Sequence, residues 1–306
     1  MINCYRRDLK DSILNKLKNF ERGSWINVID PSDKDIDFLS KKFELDKQNL
    51  ISGLDKDEVP RMELVDDYTY IILKVISQED NKSLHTFLIV IADHFILTLC
   101  KIKPDFVEQI LQNNLKFITT QKIKCLLKLI SCINKDFEKA TYNTIKVINS
   151  KKKDINDLHE SDLNSLLENE SLLNSISSSY YYFVLVYEKI LKNLKFNEEE
   201  KGVMEDLLIE VKQGFDLCKS SLKTIANIRD HLVIVLSNKL SKVIALLTIL
   251  TVFISVPAAI FGFFGMNLNL PLKSNPDVFY FIFGFVALIW IGFIVYFRRK
   301  RLFLKS

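Results

Sequence analysis

The sequence predicts an α/β domain, then long helices, and at the C-terminus a two-helix transmembrane hairpin. Three observations carry this prediction. Residues 243–264 and 278–297 form uncharged runs of 22 and 20 residues, whereas the preceding part of the chain is rich in Lys, Asp and Glu. Runs of strand length that are rich in β-branched and aromatic residues end before Pro104. From residue 197 to the end of the first apolar run, the only strong helix breaker is Pro257.

Residues 1–104 are predicted to form the α/β domain, and the hairpin topology below places it in the cytosol. Residues 24–30 have the composition of a short strand. Ser32 follows, with Asp35 three positions later, which is typical of a helix capping box. A β-branched and aromatic run at residues 68–77 predicts another strand, and two later runs predict a hairpin.

Residues 105–196 show helical periodicity and are predicted to form two or three long cytosolic helices. Asn197 precedes three glutamates, which suits a helix start because these groups satisfy free amides and oppose the helix dipole. Residues 197–264 are then expected to form one helix about 100 Å long, at about 1.5 Å per residue. Only about 30 Å of it fits a bilayer. The remaining stalk needs partners along its length, which predicts an oligomer.

Both apolar runs are long enough to cross a membrane, since a bilayer core needs about 20 apolar residues. Charges interrupt the N-terminal segment, so it does not resemble a signal peptide. Basic residues flank the hairpin on both sides: Lys239 and Lys242 before it, and Arg298, Arg299, Lys300, Arg301 and Lys305 after it. Basic flanks favour the cytoplasmic side. We therefore expect a multi-pass protein of the cell (plasma or inner) membrane with both termini cytoplasmic, an outer loop at 265–277 and a basic cytosolic tail at 298–306.

The sequence offers no candidate for catalysis. The five cysteines are irregularly spaced without a CxxC pair, which indicates reduced thiols in the cytosol. The four histidines form no metal-ligand spacing, and we find no phosphate loop, nucleophile elbow or zinc-protease motif. The net charge of +4 is modest, and the sharpest basic cluster lies beside a membrane helix. The sequence therefore predicts neither an enzyme nor a nucleic-acid-binding protein.

A stripe of small and hydroxyl-bearing residues follows the first span at alternating steps of three and four. Its positions are Ser241, Ile244, Thr248, Thr251, Ser255, Ala258, Gly262 and Gly265. Such a heptad stripe forms one seam of a left-handed bundle. One interpretation is close packing of membrane helices. The other is a pore lining in which Ile244 and Leu247 form a dewetting constriction. The stripe has no carboxylate, so a pore of this kind suits an ion that keeps most of its water.

The triplet Gly265-Met266-Asn267, placed between two C-terminal spans, resembles the signature of the CorA family of magnesium channels. The stretches SWINVIDPS, DEVPRMELVDDYTYIILKV and LSNKLSKVIALLTI are similar to other parts of that family, and the resemblance covers nearly the whole chain. It implies a funnel-shaped homopentamer in the lipid bilayer, with the first helices lining a pore and the Phe-rich second helices facing lipid. It also implies that Mg²⁺ is both the transported and the regulatory ion.

The resemblance further implies that Gly265, Met266 and Asn267 form the selectivity filter, with a ring of Asn267 side chains at the outer mouth. Carboxamide oxygens can accept hydrogen bonds from the waters of Mg²⁺, which dehydrates reluctantly. A helix C-cap is the alternative role for Asn267. The sequence departs from the family in lacking an acidic residue just after the motif, and Ser241 stands where the family commonly has Asn.

The resemblance also implies that cytosolic Mg²⁺, bound between subunits, holds the channel closed. Asp206 is the preferred candidate ligand, with Glu79 and Asp80 as further candidates, and ordinary solvated charges are the alternative for each. Competing functions are transport of Co²⁺, Ni²⁺ or Zn²⁺, export instead of import, and a non-conducting membrane-anchored scaffold. The absence of Cys and His from the proposed pore argues against a site for soft metals.

Overall fold

The computed structural model of the protein describes residues 1–77, 83–112, 117–153, 160–266 and 277–299. The chain divides into two compact units, Met1–Asp230 and His231–Ser306. The first unit contains a mixed sheet and most of the helices. The second unit contains the C-terminal part of one long helix and one further helix.

The sheet of the first unit has seven strands: β1 (Ile2–Arg6), β2 (Asn15–Leu17), β3 (Ser24–Ile29), β4 (Arg61–Val65), β5 (Tyr68–Ile76), β6 (Leu84–Ile91) and β7 (Phe95–Cys100). Their order is β2-β1-β3-β7-β6-β5-β4. β3 and β7 pair in parallel, and every other neighbouring pair is antiparallel. The sequence predicted β3, β5, β6 and β7. It missed β1, β2 and β4, which are short and only partly buried.

The centre of the sheet is buried on both faces. Trp25, Ile26 and Val28 of β3 have no exposed surface. The Trp25 indole Nε1 donates a hydrogen bond of 2.8 Å to Thr98 Oγ1 of β7, and that hydroxyl donates to Asn27 Oδ1 at 3.1 Å. These bonds satisfy the indole N–H of Trp25 and the hydroxyl of Thr98, which the parallel strand pair carries into the interior.

Seven helices are described: α1 (Asp33–Phe43), α2 (Lys47–Ser52), α3 (Asp105–Leu111), α4 (Lys122–Lys153), α5 (Glu160–Asn193), α6 (Glu198–Phe264) and α7 (Asp277–Arg299). The predicted capping box is present at the start of α1, where Ser32 Oγ accepts from the Asp35 amide at 3.3 Å. The predicted start of α6 is also confirmed, because Asn197 Oδ1 accepts from the Glu200 amide at 2.8 Å.

Two lysines connect the long helices to the sheet. Lys122 at the start of α4 donates to the Ala92 carbonyl oxygen in the β6–β7 turn, at 2.7 Å. Lys189 of α5 donates to the Met62 carbonyl oxygen of β4, at 2.6 Å. Within the first unit, α4 is therefore anchored at the β6–β7 turn and α5 at β4.

We expect the stability of the protein to depend on pH through the carboxyl group of Asp136 on α4. Burial, together with a smaller contribution from the nearby Asp105 carboxylate, raises the pKa of Asp136 to about 6 against the opposing charge of Lys139. Because the folded-state pKa lies above the unfolded one, folding favours the protonated carboxyl, and stability is lost as the pH rises through about 6. Replacing Asp136 by Asn should raise the free energy of unfolding at pH 7.5 by about 1–2 kcal/mol.

Thermal unfolding of the detergent-solubilised protein at pH 4.5 and pH 7.5 tests this prediction. Asp136→Asn should stabilise the protein at the higher pH and have a clearly smaller effect at the lower one, which lies only slightly above the unfolded pKa. The exposed neighbour Glu138 supplies a control, because Glu138→Gln removes a carboxylate from the same helix. An equal effect of Asp136→Asn at both pH values would contradict the assignment.

Candidate ion pathway

The C-terminal part of α6 is apolar and almost unburied within its own chain. Among the described residues, α6 is the one helix long and apolar enough to cross a membrane, and only 6% of its most apolar window is buried. A core helix of a soluble protein would be mostly buried, and a signal sequence would lie near the N-terminus. α6 fits neither description. The shorter apolar stretch Tyr280–Phe293 lies in α7.

One side of the span packs against α7. The positions of the span that are at least partly buried are Ile249, Phe253, Val256, Pro257 and Ile260. Phe253 stacks on Trp290 of α7, with the ring centroids 4.3 Å apart and the planes at 14°. These positions follow each other at the spacing of one helix face, which is therefore the face that α7 covers.

The predicted stripe lies on the opposite side of the span. Every stripe position is exposed in the chain, from Ser241, Ile244, Thr248 and Thr251 to Ser255, Ala258 and Gly262, and so is Leu247. At about 100° per residue, Thr251 and Ser255 each lie about 200° around the helix from Phe253. Packing against α7 is therefore not the role of these small residues. Their side of α6 is available to another chain or to water.

Three hydroxyl groups of the stripe, those of Thr248, Thr251 and Ser255, donate to their own helix. Thr248 Oγ1 donates to the Ile244 carbonyl oxygen and Thr251 Oγ1 to the Leu247 carbonyl oxygen, both at 2.8 Å. Ser255 Oγ donates likewise to the Thr251 carbonyl oxygen. A hydroxyl whose hydrogen is used in this way presents only acceptor lone pairs outward. These oxygens are suited to the waters of a hydrated cation.

The predicted filter begins where α6 ends. The Gly265 amide donates to the Phe261 carbonyl oxygen at 2.9 Å, which closes the last turn. Gly265 does not adopt the left-handed backbone conformation that is frequent at helix ends. Met266 is exposed in the single chain (47%). Asn267 lies outside the described residues, so its role remains a prediction.

The stripe continues along the part of α6 that belongs to the first unit. The same alternating steps lead to Ser237, Ile234, Asp230, Asn227, Lys223, Ser220, Asp216, Gln213, Ile209 and Asp206, all of which are exposed. Positions on the other side, such as Leu207, Val211 and Cys218, are buried in the first unit. The predicted stripe began at Ser241, and the same heptad spacing continues it toward Asp206.

The candidate regulatory ligands are not brought together in the structure. Asp206 is exposed and makes no ion pair with any residue that the structure describes. Glu79 and Asp80 lie outside the described residues. Within the described ranges, no three His, Cys, Asp or Glu side chains are close enough together to hold a metal ion. A regulatory site on Asp206 would therefore need ligands from another chain.

The outer surface of α7 is aromatic. Phe281, Phe283 and Phe285 are 77%, 61% and 54% exposed, whereas Val286 is buried. Large exposed aromatic side chains on a helix of this composition are typical of a surface that faces lipid.

The family described as "CorA-like Mg2+ transporter protein" matches residues 20–299 of the chain. The "Cobalt/magnesium transport protein CorA" of Methanocaldococcus jannaschii is 25% identical over 293 residues, which is 90% of this chain and 90% of that protein. The complete structure of the CorA magnesium transporter from the same organism superposes with a TM-score of 0.86, at 22% identity and 98% coverage of both chains. The cytoplasmic domain of ZntB from Vibrio parahaemolyticus superposes with a TM-score of 0.63, at 14% identity, covering 75% of this chain and 95% of that domain.

Proposed function

The chain belongs to the family of CorA-like Mg2+ transporter proteins, and from this premise we propose that it conducts hydrated Mg²⁺ through a pore lined by α6. The family is one of transporters, not enzymes, and the archaeal relative is a cobalt/magnesium transport protein by name. One observation carries the assignment of the pathway. The small and hydroxyl-bearing stripe lies opposite the face that α7 covers, and its hydroxyl oxygens present acceptors outward.

The assembly in this proposal is a homopentamer. In a single chain the apolar span of α6 is exposed on all sides except the one that meets α7. Five copies arranged around an axis would direct the stripe inward, cover the flanks of α6 with neighbouring copies and leave α7 outside, against lipid. Both ends of the hairpin carry basic residues, which supports a cytosolic location for the first unit and for both termini.

The proposed pore selects an ion through its water shell. Mg²⁺ keeps several waters in most protein sites. Neither the stripe between Ser241 and Gly262 nor the triplet Gly265-Met266-Asn267 contains a carboxylate. Amide oxygens of Asn267 at the outer mouth and hydroxyl oxygens of Thr251 and Ser255 further along would accept hydrogen bonds from those waters without stripping them.

The membrane potential is sufficient to drive uptake. Moving a divalent charge across 100 mV is worth about 4.6 kcal/mol, since each elementary charge contributes about 2.3 kcal/mol. A pore of this kind needs a gate, which we assign to the apolar constriction at Ile244 and Leu247. Cytosolic Mg²⁺ bound between copies, with Asp206 as one ligand and Glu79 or Asp80 as others, would hold this gate closed.

Uptake by the purified protein in liposomes tests the proposal. The vesicles contain a Mg²⁺-sensitive dye and little internal Mg²⁺, and a potassium gradient with valinomycin sets the potential. We expect Mg²⁺ uptake that accelerates as the interior becomes more negative and that stops as internal Mg²⁺ accumulates. Parallel assays with Co²⁺, Ni²⁺ and Zn²⁺ identify the preferred ion. A scaffold without a pore would give the flux of protein-free vesicles at every potential, and that result would overturn the proposal.

A further inference from the structure

The side chain of Asn134 joins the three long helices of the first unit. It projects from α4 and is 4% exposed. Its Nδ2 donates to the Leu207 carbonyl oxygen and to Glu210 Oε2 of α6, both at 3.2 Å. Its Oδ1 accepts a hydrogen bond of 2.8 Å from the Tyr187 hydroxyl of α5. A buried amide with these three partners fixes α4, α5 and α6 against one another.

A second contact lies about one turn further along α6. A Cβ atom added to Gly214 would lie 2.6 Å from Cζ of the Tyr180 ring, so a larger residue does not fit there. Tyr180 is 2% exposed, and its ring packs edge-on against Phe137 of α4 with the centroids 5.5 Å apart. Phe137 therefore blocks movement of the ring on that side.

These contacts oppose axial sliding of α6. Sliding α6 by one turn, or about four residues, would bring the side chain of Glu210 or Cys218 to the place where Gly214 now meets the Tyr180 ring. The same shift would take the Leu207 carbonyl oxygen away from Asn134. We define the three-helix junction as Asn134, Tyr180, Tyr187 and Gly214.

We propose that the three-helix junction holds α6 in a fixed register against α4 and α5, and that Asn134 is a positioning residue for the gate of the ion pathway. α6 is one continuous helix from Glu198 to Phe264, so the register set at Leu207 and Gly214 is passed along the chain to Ile244 and Leu247. The channel then opens and closes without sliding of α6 past its two neighbours. This inference rests on the proposed function.

A fixed register of α6 should affect the inhibition of uptake by internal Mg²⁺. Ion binding in the cytosolic part of the protein can close the gate only if α6 moves together with α4 and α5. Replacing Asn134 by Ala removes three hydrogen bonds and should raise the internal Mg²⁺ concentration that half-inhibits uptake by about tenfold. The maximal rate at low internal Mg²⁺ should not change, because Asn134 does not line the pore. A purely structural role would instead lower the maximal rate and leave the half-inhibiting concentration unchanged.

The experiment compares Asn134→Ala with Asn193→Ala in the liposome assay. Asn193 also lies on a long helix, but its amide donates only to the Lys189 carbonyl oxygen of its own helix, at 2.7 Å. We expect the wild-type half-inhibiting concentration for Asn193→Ala. Gly214→Ala should produce the same shift as Asn134→Ala. Adding Tyr180→Leu to Gly214→Ala should reverse part of that shift, because the leucine side chain leaves room for the new Cβ.

The outcomes separate this proposal from the one on which it rests. Absence of Mg²⁺ uptake by the wild type would overturn the proposed function. Normal wild-type uptake, with an unchanged half-inhibiting concentration in both Asn134→Ala and Gly214→Ala, would overturn the junction proposal alone. Hydrogen exchange of the wild type gives a readout that does not depend on folding of the variants. Amides of residues 204–218 should exchange equally slowly with and without Mg²⁺, and faster exchange without Mg²⁺ would also overturn the junction proposal.

Discussion

Replacing Asn267 by Ala is expected to lower Mg²⁺ uptake into liposomes about a hundredfold, because a ring of carboxamide acceptors for the waters of the ion is lost. The triplet that contains Asn267 follows directly on the last turn of α6, which the Gly265 amide closes. The stripe below it carries hydroxyl acceptors but no charge. Within the filter triplet, Asn267 is thus the one residue that offers a side-chain carboxamide.

Asn269→Ala is the matched control, since Asn269 lies two positions further along the same loop and outside the filter triplet. Its uptake rate should stay within about twofold of the wild type, because Asn269 lies outside the predicted filter. Equal losses in the two variants would indicate that the loop as a whole is required. Undiminished uptake by Asn267→Ala would show that the filter assignment is wrong. Gel filtration of both variants in detergent confirms that the assembly has kept its size.

Features that depend on nearby residues were predictable from the sequence. The capping box of Ser32 and Asp35 and the helix start at Asn197 involve side chains within three residues of the amides that they bind. The two apolar runs are also local properties of the chain, and α6 and α7 contain them.

Features that depend on distant residues were not predictable. β1 has no pattern of its own and becomes a strand through its antiparallel partner β3, where Cys4 lies opposite Ile26. The parallel pairing of Trp25 with Ile96 joins segments about seventy positions apart, and no local signal encodes it. In the sequence, nothing distinguishes Asn134 from other polar residues of a helix. Its three hydrogen-bond partners are seen only in the packed structure.

The stripe on α6 has one feature that depends on nearby residues, its spacing, and one that depends on distant residues, its orientation. Its spacing was visible in the sequence, whereas its orientation was not. That orientation follows from the stack of Phe253 on Trp290, a contact between two helices whose relative rotation the sequence does not specify. Packing and pore lining were equally compatible with the spacing. The structure excludes packing against α7 as the role of the stripe. The stripe can therefore contact other copies of the chain or water.

Replacing Ser255 by Phe is expected to lower Mg²⁺ uptake by about a hundredfold or more, because five phenyl rings at one level of a narrow pore exclude the water that the ion carries. Ser255 lies near the middle of the exposed stripe, about 200° from Phe253, so the new ring would project away from α7. Ser255→Ala removes the hydroxyl acceptor without filling the space. Its uptake should therefore stay within about threefold of the wild type.

Ile291→Phe in α7 separates an effect on the pore from an effect of added bulk in the membrane. Ile291 is exposed in the chain, and in the proposed assembly it faces lipid, where an aromatic ring is well tolerated. Its uptake should equal that of the wild type. If Ser255→Phe conducts normally while forming an assembly of unchanged size, the stripe cannot line the pathway, and its small residues must instead serve the contact between copies. Loss of uptake in Ser255→Phe with normal uptake in Ile291→Phe would favour the pore lining, since helix packing alone does not require water at the level of Ser255.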